Sequence, residues 1–105
     1  MGYLIEVSLK VLNNNKIKEI ETYLMKIIEK NGGELKDTQI EIEGHRHQID
    51  IYNKIYVIYV SKEVGNLENL IRKLKQSLFL KIDSIQDEET NEIIFTNYSN
   101  NHLRV

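Results

Sequence analysis

Residues 55–60 read Ile-Tyr-Val-Ile-Tyr-Val, six apolar residues in succession. A strand with one wet face alternates apolar and polar side chains, whereas this run places apolar side chains on both faces. The run therefore predicts a central strand over Lys54–Ser61. We expect the protein's own helices to cover one face of that strand and a partner to contact the other.

The segments that begin the chain predict a strand followed by a helix. Tyr3–Leu12 alternates, with apolar side chains on one face and polar ones on the other. Apolar residues with helical spacing then run from Ile17 to Ile28. An asparagine among residues 13–15 is expected to cap this helix, and Asn31-Gly32-Gly33 to end it, since glycine accepts the left-handed conformation.

A second strand is predicted over Leu35–Glu43, where apolar and acidic residues alternate at the end. Gly44 marks a turn, bulge or bend, beyond which His47–Tyr52 continues the strand. Asn53-Lys54 is expected to form a tight turn into the central strand, because asparagine tolerates positive φ.

After the central strand, the pattern predicts a second helix and two further strands. Asn66 is the expected N-cap of the helix. Its apolar stripe consists of Leu67, Leu70, Ile71, Leu74 and Leu78. Phe79–Gln86 is expected to return as a strand, and Ile93–Thr96 can pair back as an extra C-terminal strand after a charged turn.

The order strand, helix, strand, strand, helix, strand predicts the fold. Right-handed crossovers place both helices on one face of an antiparallel sheet. The sequence thus predicts an α+β fold, a ferredoxin-like βαββαβ sandwich. Residues 1–97 are expected to form one domain, with residues 98–105 as a loose tail.

Composition limits the classes of function. The net charge of −2 disfavours nucleic acid as a partner. No cysteine is present, so neither a disulfide nor a thiolate metal site can form. No stretch approaches the ~18 apolar residues of a membrane span, and Glu6 brings a charge too early for a signal peptide. We therefore expect a cytoplasmic protein without membrane association.

Residue usage indicates origin rather than mechanism. The chain has no alanine, proline, tryptophan or cysteine, while isoleucine, asparagine and lysine abound. This bias suggests an A+T-rich genome, such as that of a low-GC bacterium, its phages, a large virus or some protists.

The motif His45-Arg46-His47 carries metal-binding side chains. Alternate residues of an extended segment point to one side, so both imidazoles can reach one transition metal, and two subunits together would complete a site. The alternative is an exposed, unliganded pair beside a turn. The motif resembles that of the ACT-like C-terminal domains of nickel-responsive ribbon-helix-helix repressors, which carry H-x-H on a strand before an apolar strand and an amphipathic helix. Asn53 stands where that family has a cysteine ligand.

We expect a non-enzymatic interaction or regulatory module that is oligomeric, and a small phage- or virus-encoded inhibitor fits this size and composition. Its partner is expected to be a protein, a second copy or both. The contact surface is expected on a sheet face, formed by Tyr52, Lys54, Tyr56, Ile58 and Val60, or centred on Tyr59 if the strand has the opposite parity. No phosphate loop, nucleophile elbow or convergent acid–base group indicates catalysis.

Two alternatives have their own residues. An ACT-like ligand- or metal-sensing domain would use His45 and His47, and no cofactor other than that metal is expected. A ribonucleoprotein component would bind RNA through Arg46, Lys54 and the tyrosines, since aromatic side chains stack on bases.

Overall fold

The computed structural model of the protein describes residues 1–11, 16–46 and 49–96. The elements in chain order are β1 (Gly2–Val11), α1 (Ile17–Lys30), β2 (Gly33–Arg46), β3 (Ile49–Ser61), α2 (Leu67–Gln76), β4 (Leu80–Asp87) and β5 (Ile93–Thr96). Neither of these helices is long and apolar enough to cross a membrane. The predicted tail at residues 98–105 and the asparagines at 13–15 lie outside the described residues.

The five described strands form one antiparallel sheet in the order β2-β3-β1-β4-β5. The predicted α+β class, the antiparallel sheet, the two helices and the extra C-terminal strand are confirmed. The arrangement is compatible with a ferredoxin-like fold.

A hydrophobic core joins both helices to one face of the sheet. Strand β1 presents Ile5, Val7 and Leu9 to this core, and all three are buried. The helices contribute the buried side chains Leu24, Ile27 and Ile28 from α1 and Leu70 and Leu74 from α2. Because one cluster contains all of these residues, both helices pack on the same face of the sheet. Neither described helix covers the other face, which we call the open face.

The end of α1 is joined to the start of α2. Gly32 has a φ of 69°, which confirms that a glycine of the predicted segment Asn31-Gly32-Gly33 ends α1 in the left-handed conformation. The buried Asn31 side chain donates a hydrogen bond to the Ile27 carbonyl (2.7 Å) and accepts one from the Asn69 side chain (2.7 Å). Asn31 therefore satisfies a carbonyl of α1 while fixing the position of α2.

Helix α2 begins as predicted but ends early. The Asn66 side chain accepts a hydrogen bond from the Asn69 backbone N–H at 3.0 Å, so the predicted N-cap is confirmed. At the other end Ser77 adopts an extended conformation with ψ of 132°. Leu78 then no longer follows the helical period. The prediction that it belongs to the buried stripe is wrong, and the side chain is 94% exposed.

The β2–β3 hairpin is longer than predicted. Asn53 and Lys54, expected to form a tight turn, lie within β3 opposite Glu41 and Ile40. The prediction of a turn there is wrong because the ladder continues past these residues and pairs backbone groups that a turn would leave to water. A register shift beside Gly44 confirms an irregularity at that glycine.

Candidate functional site

The pairing of β3 with β1 fixes which side chains of the apolar run are buried. Ile58 lies opposite Ile5, and Tyr56 lies opposite Val7. Cross-strand partners share a face of the sheet, so Ile58 and Tyr56 face the helices and are 0% and 2% exposed. Val60 is also fully buried. The expectation that these three side chains form an exposed contact surface is therefore wrong, because they belong to the core.

The opposite parity leaves Ile55, Val57 and Tyr59 on the open face. Ile55 is buried and the other two are half-buried, although neither described helix covers this face. Val57 lies in register between two acidic residues, Glu6 on β1 and Asp37 on β2. The open face therefore presents no continuous apolar surface around β3.

Tyr59 is held in place by the residues around its ring. The Lys36 ammonium lies 5.4 Å from the ring centroid, a cation–π distance. Gly2 lies close to the ring, and a Cβ added there would come within 2.8 Å of it. Tyr59, the alternative centre of the predicted contact surface, thus has intramolecular contacts on more than one side.

Lys54 and Tyr56, two of the predicted contact residues, instead meet Glu21 of α1. One carboxylate oxygen of Glu21 accepts a hydrogen bond from the Tyr56 hydroxyl (2.7 Å) and one from the Lys54 ammonium (2.5 Å). Tyr52, the remaining predicted contact residue, is partly buried and packs against the core on the same face. These side chains fix α1 to β3.

The pKa values of Glu21 and Tyr56 are both shifted away from neutral pH, that of Glu21 downward and that of Tyr56 upward. Burial raises the pKa of Tyr56 above its ordinary value, and the Glu21 carboxylate that accepts its hydroxyl hydrogen raises it further. Burial alone would raise the pKa of Glu21, but the hydrogen bonds from Lys54 and Tyr56 outweigh it and leave that pKa below 4.5. A general acid or base works best near the operating pH, so the geometry favours a structural role.

The predicted metal motif is described only in part. His45 lies in β2 with its backbone opposite Asp50, while His47 lies outside the described residues. Across residues 1–11, 16–46 and 49–96, no group of three or more potential ligands could hold a metal ion. Metal binding at His45 and His47 stays a prediction.

The β2 edge of the sheet resists strand addition. Two register shifts, each with one extra residue on β2, interrupt its pairing with β3. Its exposed side chains include the charged residues Glu34, Lys36, Asp37 and Glu41. Bulges and charges are features by which proteins discourage another strand from pairing at an edge.

The opposite edge lacks this protection. Strand β5 pairs with β4 on one side only within the described sheet. We call its exposed apolar side chains the β5 edge, which consists of Ile93 (60% exposed), Ile94 (53%) and Phe95 (36%). The sequence predicted the strand but not the exposure of its side chains. The uncharged run Ile-Ile-Phe-Thr, which forms the last described strand, was the one feature that could have indicated an exposed apolar edge.

No protein-family model matches the sequence, and no curated protein matches it. Among solved structures, the chain is similar to one described as "De novo designed protein Foldit4", with a TM-score of 0.53 and 10% sequence identity. The match covers 84% of this chain and 99% of that chain. At this identity the likeness shows the fold alone, which agrees with the α+β architecture.

Proposed function

We propose that this protein is a non-enzymatic interaction module built on a ferredoxin-like sandwich. The order β2-β3-β1-β4, with a helix after β1 and another after β3, supports the ferredoxin-like assignment. In that arrangement β5 is an addition at the outer side of β4. Because one fold hosts many functions, the proposal depends on the exposed surface rather than on the fold.

The β5 edge is the observation that carries the proposal. Within the described sheet β5 pairs on one side only, it has three exposed apolar side chains, and no residue of the strand carries a charge that would oppose a neighbouring strand. An edge of this kind binds by strand addition, in which main-chain hydrogen bonds extend the sheet. The module would therefore act by continuing its sheet into another chain.

A second copy of the protein is the occupant that fits best. Two β5 strands related by a two-fold axis would pair antiparallel, with apolar side chains against apolar side chains and no like charges opposed. Four residues on each side bury less area than the roughly 1,200 Å² of a stable interface. We therefore expect a weak, concentration-dependent dimer.

Sedimentation velocity over protein concentrations from about 10 µM to about 1 mM tests self-association, since weak complexes dissociate in this range. The wild-type protein should change from monomer to dimer as its concentration rises. Ile94→Lys should remain monomeric because it places an ammonium group at the apolar edge.

Ile40→Lys is the matched control. Ile40 is 63% exposed, similar to Ile94, but it lies on β2 at the opposite edge of the sheet. This variant should dimerise like the wild type. A wild-type monomer throughout the range, or a dimer lost only in Ile40→Lys, would contradict the proposal.

The predicted regulatory or inhibitory role requires a second protein as a partner in addition to self-association. The metal-sensing alternative requires a bound transition metal. Metal analysis of the untagged wild-type protein and of His45→Ala tests the metal-sensing alternative. If neither sample contains a transition metal, that alternative fails. The RNA alternative loses one of its proposed tyrosines, because Tyr56 is 2% exposed and cannot stack on a base.

A further inference from the structure

A cleft of about 300 Å³ lies on the open face of the sheet, away from both helices. Its lining comes from β1, β2, β3 and the start of β4. Ile55 contributes a buried apolar surface, and Phe79, which is 54% exposed, contributes an aromatic ring. The volume is at the small end of the roughly 300–1,000 Å³ found for ligand pockets.

Asp83 lines this cleft from a β-bulge. Ser84 pairs with Glu6 while Ile82 pairs with Val7, so Asp83 is the extra residue between them. Bulges redirect side chains and are frequent beside binding sites. The bulge therefore explains how an acidic residue comes to line the cleft from the middle of a strand.

The Asp83 side chain is almost fully buried at the edge of the cleft. The residue is only 4% exposed, and within the described part of the chain no fully buried side-chain oxygen or nitrogen lacks a hydrogen-bond partner. Because no partner is found for the Asp83 carboxylate among the described residues, its oxygens keep the remaining contact with solvent. Removing an ionised carboxylate from water is unfavourable unless a cation or hydrogen-bond donor replaces the lost water. A ligand that displaces the remaining solvent must therefore supply a hydrogen-bond donor or a cation to this carboxylate.

Two lysines provide the opposite charge at the same cleft. Lys81 precedes Asp83 by two residues, roughly 6.6 Å along the strand at the usual rise per residue, and Lys10 lies on the adjacent β1. Both side chains are exposed, as is Glu41 on β2. The two lysines and two carboxylates of the lining cancel in charge, which favours a ligand with both charges and no net charge.

We propose that this cleft binds a small zwitterion of the amino-acid class. The ligand's ammonium group donates hydrogen bonds to the Asp83 carboxylate, and its carboxylate lies between the ammonium groups of Lys10 and Lys81. Its apolar part contacts Phe79 and Ile55. This site lies on the open face and is separate from the interaction proposed for the β5 edge.

The twenty α-amino acids, each added separately at concentrations up to about 10 mM, are the probes, since that range detects weak small-molecule binding. The readout is the set of backbone amide shifts of the ¹⁵N-labelled protein. At least one amino acid should shift the amides of Ser8, Lys81 and Asp83 saturably. Methylammonium and acetate, which carry only one of the two charges, should not saturate in this range.

Asp83→Asn should weaken the best amino acid by about tenfold or more, equivalent to the loss of one charge-assisted hydrogen bond. Lys81→Ala should weaken it several-fold, and this exposed substitution leaves the core unchanged. Asp37→Asn is the matched control, because Asp37 is exposed on β2 outside the cleft. It should leave the affinity unchanged.

Three results would overturn the proposal. The first is that none of the twenty amino acids gives a saturable shift. The second is that acetate or methylammonium saturates the same amides as readily as an amino acid. The third is that MgCl₂ saturates them while the amino acids do not, which would identify a cation site at Asp83 instead.

Discussion

Glu21 stabilises the contact between α1 and β3 because its carboxylate accepts hydrogen bonds from two side chains of β3. The Glu21 and Lys54 side chains are 29% and 24% exposed, so water screens their attraction only in part. Glu21→Gln removes the charge and leaves the Lys54 ammonium without its carboxylate. We expect the free energy of unfolding to fall by about 1–2 kcal/mol, measured by urea denaturation.

Glu29→Gln provides the matched control on the same helix. Glu29 is exposed near the end of α1, and removal of a surface charge there should change the free energy of unfolding by no more than about 0.5 kcal/mol. Equal losses in the two variants would show that the effect comes from the net charge of the protein rather than from the Glu21 contacts.

The Glu21 carboxylate should also make the stability of the protein depend on pH. The pKa of Glu21 is lower in the folded protein than its ordinary value of 4.5, so the unfolded chain binds the proton more tightly. Its contribution is present above pH 4.5 and is lost as the pH falls through the lower, folded-state pKa. The stability difference between wild type and Glu21→Gln should therefore shrink between about pH 6 and about pH 3. A constant difference would contradict the assignment.

Replacing a valine by alanine on each face of β3 tests which face packs against the helices. Val60 is fully buried against the helices, whereas Val57 is half-buried on the open face. Val60→Ala should lower the free energy of unfolding by about 2 kcal/mol through lost burial and a residual cavity. Val57→Ala should lower it by about 1 kcal/mol or less. Urea denaturation measures both, and the reverse order would mean that the opposite face of β3 packs on the helices.

The sequence was sufficient to predict a helix end where a single residue type forms the cap. The N-cap Asn66 and the end of α1 at Asn31-Gly32-Gly33 were predicted for this reason, since side-chain capping and positive φ act over a few bonds. Leu78 was placed wrongly because its spacing continues the stripe of α2. The helix ends at Gln76, and Ser77, which is not a strong stop signal, is already extended. The end of α2 therefore depends on where β4 begins.

The strand order predicts how protection from amide hydrogen exchange is distributed over the whole molecule. Strand β1 lies between β3 and β4, so both of its edges are paired, whereas β5 is at the edge of the described sheet. Amides of β1 should exchange slowest, near the rate set by global unfolding, and outward amides of β5 should exchange much faster in dilute solution. If a second copy binds there, β5 should gain protection as the protein concentration rises.

Exchange measured by mass spectrometry or NMR at two protein concentrations checks this distribution. Protection of β5 equal to that of β1 in dilute protein would contradict it. A rise in protection confined to β2 would place the association at the opposite edge of the sheet.

The two candidate sites could not be predicted from the sequence for different reasons. The β5 edge depends on which strand finishes the sheet, and this follows from the order of five strands rather than from the residues of β5. The cleft depends on a bulge at Asp83, which arises only when β4 is aligned with β1. In the sequence, Asp83 is one of several acidic residues near a turn, and nothing in the pattern predicts that it is buried.

The sequence by itself determined the number and approximate positions of the helices and strands, because apolar periodicity and caps are local properties. It also determined that residues 55–60 form a central strand. It could not determine which face of that strand is inside, because both faces are equally apolar. The tertiary structure decided this through the pairing of Ile58 with Ile5 and of Tyr56 with Val7. A shift of one residue would exchange the two faces of β3.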